Sequence, residues 1–189
     1  MSRKHIEGTL RILREETIML GRFEVLAEMA IKAGAKGEES RQAILSGLYQ
    51  ASWRALLIGL AGLLSTDQES ITLRYLLDLA GNHPHDFARW TPEQVQAEVR
   101  CARQSLAALD HLEERLRALR DRRLAHLDRK HINEPETFSD LTISLLEAQE
   151  VLKFIERTVR DFHLAFYDED VLFDNHKRRS RVGLDQLIA

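Results

Sequence analysis

The sequence predicts an all-α fold, an antiparallel helical bundle of about five helices, from three observations. Only three prolines, at positions 84, 92 and 135, punctuate 189 residues, so long helices can run without the break that proline imposes. Aromatic residues make up 6% of the chain, and its β-branched residues do not cluster into the alternating runs of a strand. Apolar residues recur instead at threes and fours, the period of a helix that packs one face.

The first helix is expected over about Lys4 to Ala33, with Ile6, Leu10, Leu13, Ile18, Phe23, Leu26 and Ile31 as its apolar residues and room for a kink near Gly21. Gly34-Ala35-Lys36-Gly37 ends it, since glycine is the residue that most readily terminates a helix. A second helix, about Glu38 to Leu64, is apolar nearly all round after Trp53, the pattern of an element surrounded by others. Ser65-Thr66-Asp67 reads as a turn with capping chemistry, followed by a short third helix through Ile71, Leu73, Leu76, Leu77 and Leu79 to Gly81. The loop from Asn82 to Trp90 is expected to cross the surface. Thr91-Pro92-Glu93-Gln94 then combines a threonine cap, a proline at the first helical position and a glutamine three residues on, a strong helix start. Its stripe runs Val95, Val99, Ala102, Leu106, Leu109, Leu112, Leu116 and Leu119. After Asn133-Glu134-Pro135, the last long helix starts near Ser139 and carries the seam Leu141, Leu145, Ala148, Leu152, Ile155, Val159, Phe162 and Phe166, which calls for a partner helix.

Composition bounds the function. With 44% hydrophobic and 30% charged residues, the chain reads as one globular domain, 1–189, with a short tail from about 167 that frays or docks on a partner. A net charge of −3 and a pI near 6.2 argue against a general duplex binder, so no DNA is expected and a nucleic-acid role must rest on a local patch. Cys101 stands alone, which excludes an internal disulfide and a multi-cysteine zinc site and fits a reducing cytoplasm. Met1 to Glu7 lacks the apolar stretch of a secretory signal, and Ala55 to Leu64 is about half of the roughly 20 residues that a membrane span needs. No membrane partner is expected.

One segment departs from this slightly acidic background. Between Arg115 and His131 stand Arg115, Arg117, Arg120, Arg122, Arg123, Arg129 and Lys130 against only Asp121 and Asp128, a local field suited to phosphate. Guanidinium groups bind phosphate bidentately, and a histidine titrating near neutrality moves protons at pH 7, so Arg and His together suit phosphodiester chemistry without a metal or cofactor. At about 100° per residue, Arg123 and His126 share a face, whereas Arg120 and His126 lie roughly 120° apart. To reach one phosphate together they need a long side-chain swing, a helix irregularity or a second subunit. The alternative from the residues alone is a histidine at a helix contact beside arginines on a solvated face with Glu113 and Glu114.

Arg120-Asp121, four further residues and His126 resemble the Arg-x(4–6)-His motif of the HEPN superfamily (higher eukaryote and prokaryote nucleotide-binding). The run Leu116 to Asp128 is similar to the motif helix of the abortive-infection U-type HEPN-like proteins, and Trp53 to Leu79 is similar to the second half of their N-terminal region. The resemblance implies a helical bundle that dimerises so that both motifs face one composite cleft, and a metal-independent endoribonuclease in a toxin or phage-defence setting. Carried over, His126 serves acid–base catalysis as the RNA 2′-hydroxyl attacks the adjacent phosphate, Arg120 stabilises the developing charge and Asp121 orients either of them. Arg122, Arg123 and Lys130 would hold flanking phosphates. The implied partners are RNA, a second copy of the chain and, in a toxin–antitoxin setting, an antitoxin protein. No tyrosine stands just after His126, so modification by a nucleotidyltransferase antitoxin, which some members undergo, is not expected. The competing class is a non-catalytic HEPN-like interaction or nucleotide- and RNA-binding protein that uses the Leu141 to Phe166 seam and the tail.

Other signals are weaker. His83-Pro84-His85-Asp86 offers two imidazoles and a carboxylate in a loop without a second ligand cluster. Phosphate-loop, dinucleotide-binding, nucleophile-elbow and zincin motifs do not occur.

Overall fold

A computed structural model describes residues 2–34, 39–67, 69–121 and 142–188. The described residues form α-helices without strands: α1 (Ser2–Gly34), α2 (Glu39–Leu64), α3 (Leu73–Asn82), α4 (Pro92–Ala108), α5 (Asp110–Leu119), α6 (Leu145–Tyr167) and α7 (Phe173–Ile188), with a 3-10 turn at Pro84–Asp86. Seven helices replace the expected five, for two physical reasons. The continuous stripe from Val95 to Leu119 is buried throughout as expected, but Leu109 adopts φ −95° and ψ 3° and divides the stretch into α4 and α5. A periodic stripe reports the packed face and is blind to one residue that leaves helical geometry. The stretch read as a tail forms α7, because Phe173 enters the core and Lys177 meets buried carboxylates.

The longest element, α1, packs on α2, α6, α7 and α3. Its buried stripe begins as expected with Ile6, Leu10 and Leu13, then continues through Thr17, Leu20, Glu24 and Ala27, with Ile18 and Phe23 partly buried against the core and Ile31 exposed. Polar residues occupy this face because each is satisfied. The Thr17 hydroxyl donates to the Leu13 carbonyl at 2.6 Å, and Glu24 accepts from Gln149 Nε2 at 2.8 Å. A Cβ at Gly59 of α2 would overlap the Leu20 side chain, so glycine there permits the close approach of α1 and α2.

Capping boxes fix two helix starts. Thr91 and Gln94 form one at α4 as expected, and Ser144 with Glu147 forms the other at α6, five residues beyond the expected start. The 82–90 connection is anchored rather than merely superficial. Phe87 is fully buried and meets Phe162 and Phe166 edge to face, each at 5.7 Å between centroids, while Trp90 meets Phe162 at 5.8 Å. The α6 seam from Ala148 to Phe166 is thus spent inside the chain's own core, which removes it as a surface for another chain. Among the described residues, Cys101 is an exposed free thiol on α4, and no helix is long and apolar enough to cross a membrane.

Candidate functional site

The motif begins where α5 ends. Leu112, Leu116 and Leu119 are buried and anchor the helix, so the register delivers Arg120 to its C-terminal end. The Arg120 N–H donates to the Leu116 and Arg117 carbonyls, and the residue keeps helical angles of φ −56° and ψ −53°. Its side chain is 30% exposed, with Nε 2.7 Å from Asp121 Oδ1. A neighbouring carboxylate thereby restrains the guanidinium, whose other N–H groups are further donors.

A second carboxylate, Asp67, stands in the turn after α2, where the charge of Arg120 acts on it. Asp67 Oδ2 accepts from the Ser70 hydroxyl at 2.6 Å, and its Oδ1 accepts from the Glu69 N–H at 3.0 Å. These bonds hold the Asp67 carboxyl below the usual range, the Ser70 bond foremost, and the charge of Arg120 adds to them. The sequence marked Ser65-Thr66-Asp67 as a capped turn; nothing in local spacing announces that the charge of an arginine more than fifty positions on will act on it.

An open cavity of about 440 Å³ adjoins the end of α5, lined by Tyr49, Trp53, Arg54, Leu57, Leu119 and Ile143 among others. Tyr49 and Trp53 stack there, 6.3 Å between centroids and 13° between planes. Their spacing of four places both rings on one face of α2, a signal already present in the sequence.

The basic run divides. Arg115, counted from sequence among its cations, is committed to structure: Nη1 lies 2.6 Å from Glu147 Oε1, and Nη2 donates to the Thr142 carbonyl. Arg115 ties α5 to the start of α6. The N–H and hydroxyl of Ser144, together with Arg115, hold the Glu147 carboxyl down to about 2. Arg117 is exposed. Glu113, expected on a solvated face, is buried and pairs with Arg74 of α3 at 2.5 Å, whereas Glu114 is exposed. Of the expected site residues, the structure brings Arg120 and Asp121 together; His126, Arg122, Arg123 and Lys130 lie outside the described residues. His83-Pro84-His85-Asp86 forms the 3-10 turn after α3, and no cluster of three or more metal-ligating side chains occurs among the described residues.

Comparison with known proteins agrees with the family resemblance. The AbiU2 family model matches residues 3–180, nearly the whole chain. No curated protein and no solved structure matches it. The match embraces the helical bundle from α1 into α7 as well as the Arg120 to His126 segment, so the chain belongs to the HEPN-like AbiU2 family, of the abortive-infection U type.

Proposed function

We propose that the chain is a metal-independent endoribonuclease acting in abortive infection, with a composite site made by two copies of the chain. The observation that carries this reading is the placement of Arg120: a packed helix end presents it at the surface, Asp121 restrains it at 2.7 Å, and a cavity with stacked aromatic rings lies alongside. A preorganised guanidinium suits a pentacovalent phosphate, whose charge grows as the reaction proceeds, and aromatic faces suit unpaired bases.

In this reaction the RNA 2′-oxygen forms a bond to the adjacent phosphorus as the bond to the 5′-oxygen breaks. His126 exchanges the protons, one leaving the 2′-hydroxyl and one reaching the 5′-oxygen, and the products are a 2′,3′-cyclic phosphate and a 5′-hydroxyl. Arg122, Arg123 and Lys130 hold flanking phosphates. Dimerisation meets the angular separation of Arg120 and His126, because a partner's motif completes the constellation.

A second reading, a non-catalytic binding protein, draws on the same site: Arg120 already has a carboxylate partner in Asp121. Cleavage of a total-RNA or tRNA mixture in EDTA by wild type, His126→Ala and Arg120→Ala separates the two. Cyclic-phosphate ends from the wild type alone support the ribonuclease. Folded, dimeric wild-type protein that leaves every RNA intact favours the binding protein.

A further inference from the structure

A second polar pocket, of about 420 Å³, lies between the first half of α1 and the end of α6. Lys4, Arg11 and Arg14 line it from α1, where spacings of seven and three place them on one helical face. None of the three is in an ion pair among the described residues. Arg3, by contrast, is occupied: its guanidinium sits 5.4 Å from the centre of the Phe166 ring. Two carboxylates, Glu7 and Glu169, also border the pocket, so three cations outnumber them by one.

The wall opposite these cations is built rather than incidental. His163 is 97% buried, a polar side chain on the packed face of α6, and its ring lines the pocket. Its Nδ1 lies 3.0 Å from the Glu169 carbonyl, which fixes the proton on Nδ1 and leaves Nε2 without a hydrogen bond among the described residues. Burial foremost, and the nearby Arg14 charge, hold the imidazole below its ordinary range despite the Glu169 bond. The Tyr167 ring packs against His163 at 4.6 Å, and its hydroxyl donates to the Glu7 carbonyl at 3.4 Å. Uncommitted guanidinium and ammonium groups facing a buried imidazole and an aromatic ring have the chemistry of a phosphate site. Binding there compensates cations that have no ion pair among the described residues.

We propose that this α1–α6 pocket binds the phosphate group of a small organic phosphate, separately from the Arg120 motif. Arg11, Arg14 and Lys4 hold the phosphate oxygens, and His163 and Tyr167 form the wall against the organic portion.

The test titrates the full-length protein at low ionic strength with inorganic pyrophosphate and with adenosine 5′-monophosphate, following the His163 ring resonances by NMR and heat by calorimetry. The variants are Arg11→Gln, Arg14→Gln and Gly8→Glu, with Arg120→Gln as the control for the motif site. Gly8 borders the pocket, and a Cβ there meets no atom within 4 Å, so Gly8→Glu brings a repelling carboxylate without crowding the fold. Saturable His163 shifts are expected, with affinity about tenfold weaker in each α1 variant and unchanged in Arg120→Gln. Equal affinity for the two probes assigns recognition to phosphate alone; tighter binding of the nucleotide assigns a contribution to the organic portion. Absence of a saturable His163 shift with both probes overturns the proposal. Binding that Arg120→Gln abolishes and the α1 variants preserve overturns it too, because the phosphate then belongs to the motif.

Discussion

Replacing Lys177 with Met should destabilise the protein by about 3–5 kcal/mol at neutral pH, the range for removing one partner of a buried ion cluster. Lys177 Nζ lies 2.8 Å from both Glu24 Oε2 and Glu156 Oε1, and the three side chains are only 12%, 7% and 13% exposed. Methionine keeps most of the apolar stem but leaves two carboxylates facing each other where α7 meets α1 and α6. The pH dependence fixes the cause. Burial, opposed by Lys177, already raises the Glu156 carboxyl above its ordinary value, and loss of the ammonium raises it further. A carboxyl whose folded-state value exceeds the unfolded one takes up its proton preferentially in the fold, so acidification should narrow the deficit. In the wild type, burial disfavours the Lys177 ammonium, but Glu156 and Glu24 outweigh it and hold the group above its usual value. That contribution is complete below the unfolded pKa of 10.5 and is lost as pH rises through the folded one. Guanidinium denaturation at pH 7.5 and 5.5 measures the difference, and Lys177→Met with Glu24→Gln and Glu156→Gln should recover most of it. A deficit under about 1 kcal/mol, below what a buried cluster implies, or one that widens on acidification, refutes the reasoning.

Leu116→Ala should cost about 2–5 kcal/mol, because Leu116 is 1% exposed in the α5 core; an unchanged denaturation midpoint would contradict that packing. Glu147, held down to about 2, contributes stability that is present above the unfolded carboxylate value and lost as pH falls through about 2. Glu147→Gln should therefore flatten the acid limb of the stability profile, read by circular dichroism. Sedimentation at micromolar concentration should give a dimer, and a monomer there would count against the composite site. RNA binding should weaken steeply with salt if the basic segment holds phosphates, and salt-independent retention on a filter would argue against that.

The fold was legible where side-chain period and capping chemistry decide it. The α4–α5 stripe, the α6 seam and the Thr91 box rest on local spacing, and the structure keeps them. What escaped depends on contacts far apart in sequence. Glu24 and Lys177 are polar letters until the fold brings them to 2.8 Å, and Phe87 lies in a stretch of loop composition that only α6 draws inward. At the site, Arg120 and Asp121 were readable as neighbours, whereas the influence of the Arg120 charge on Asp67, in a distant turn, was not. Arg115 is the instructive miss: a cation in a basic run is available to ligand only if no partner claims it, and Glu147 does.

The solitary exposed thiol on α4 has a practical consequence. A chain with one cysteine takes one spin label at Cys101, and one label has no partner within its own molecule. Any dipolar coupling in a fully labelled sample must arise between chains. The separation it reports would give the relative placement of two subunits in solution without any engineered mutation.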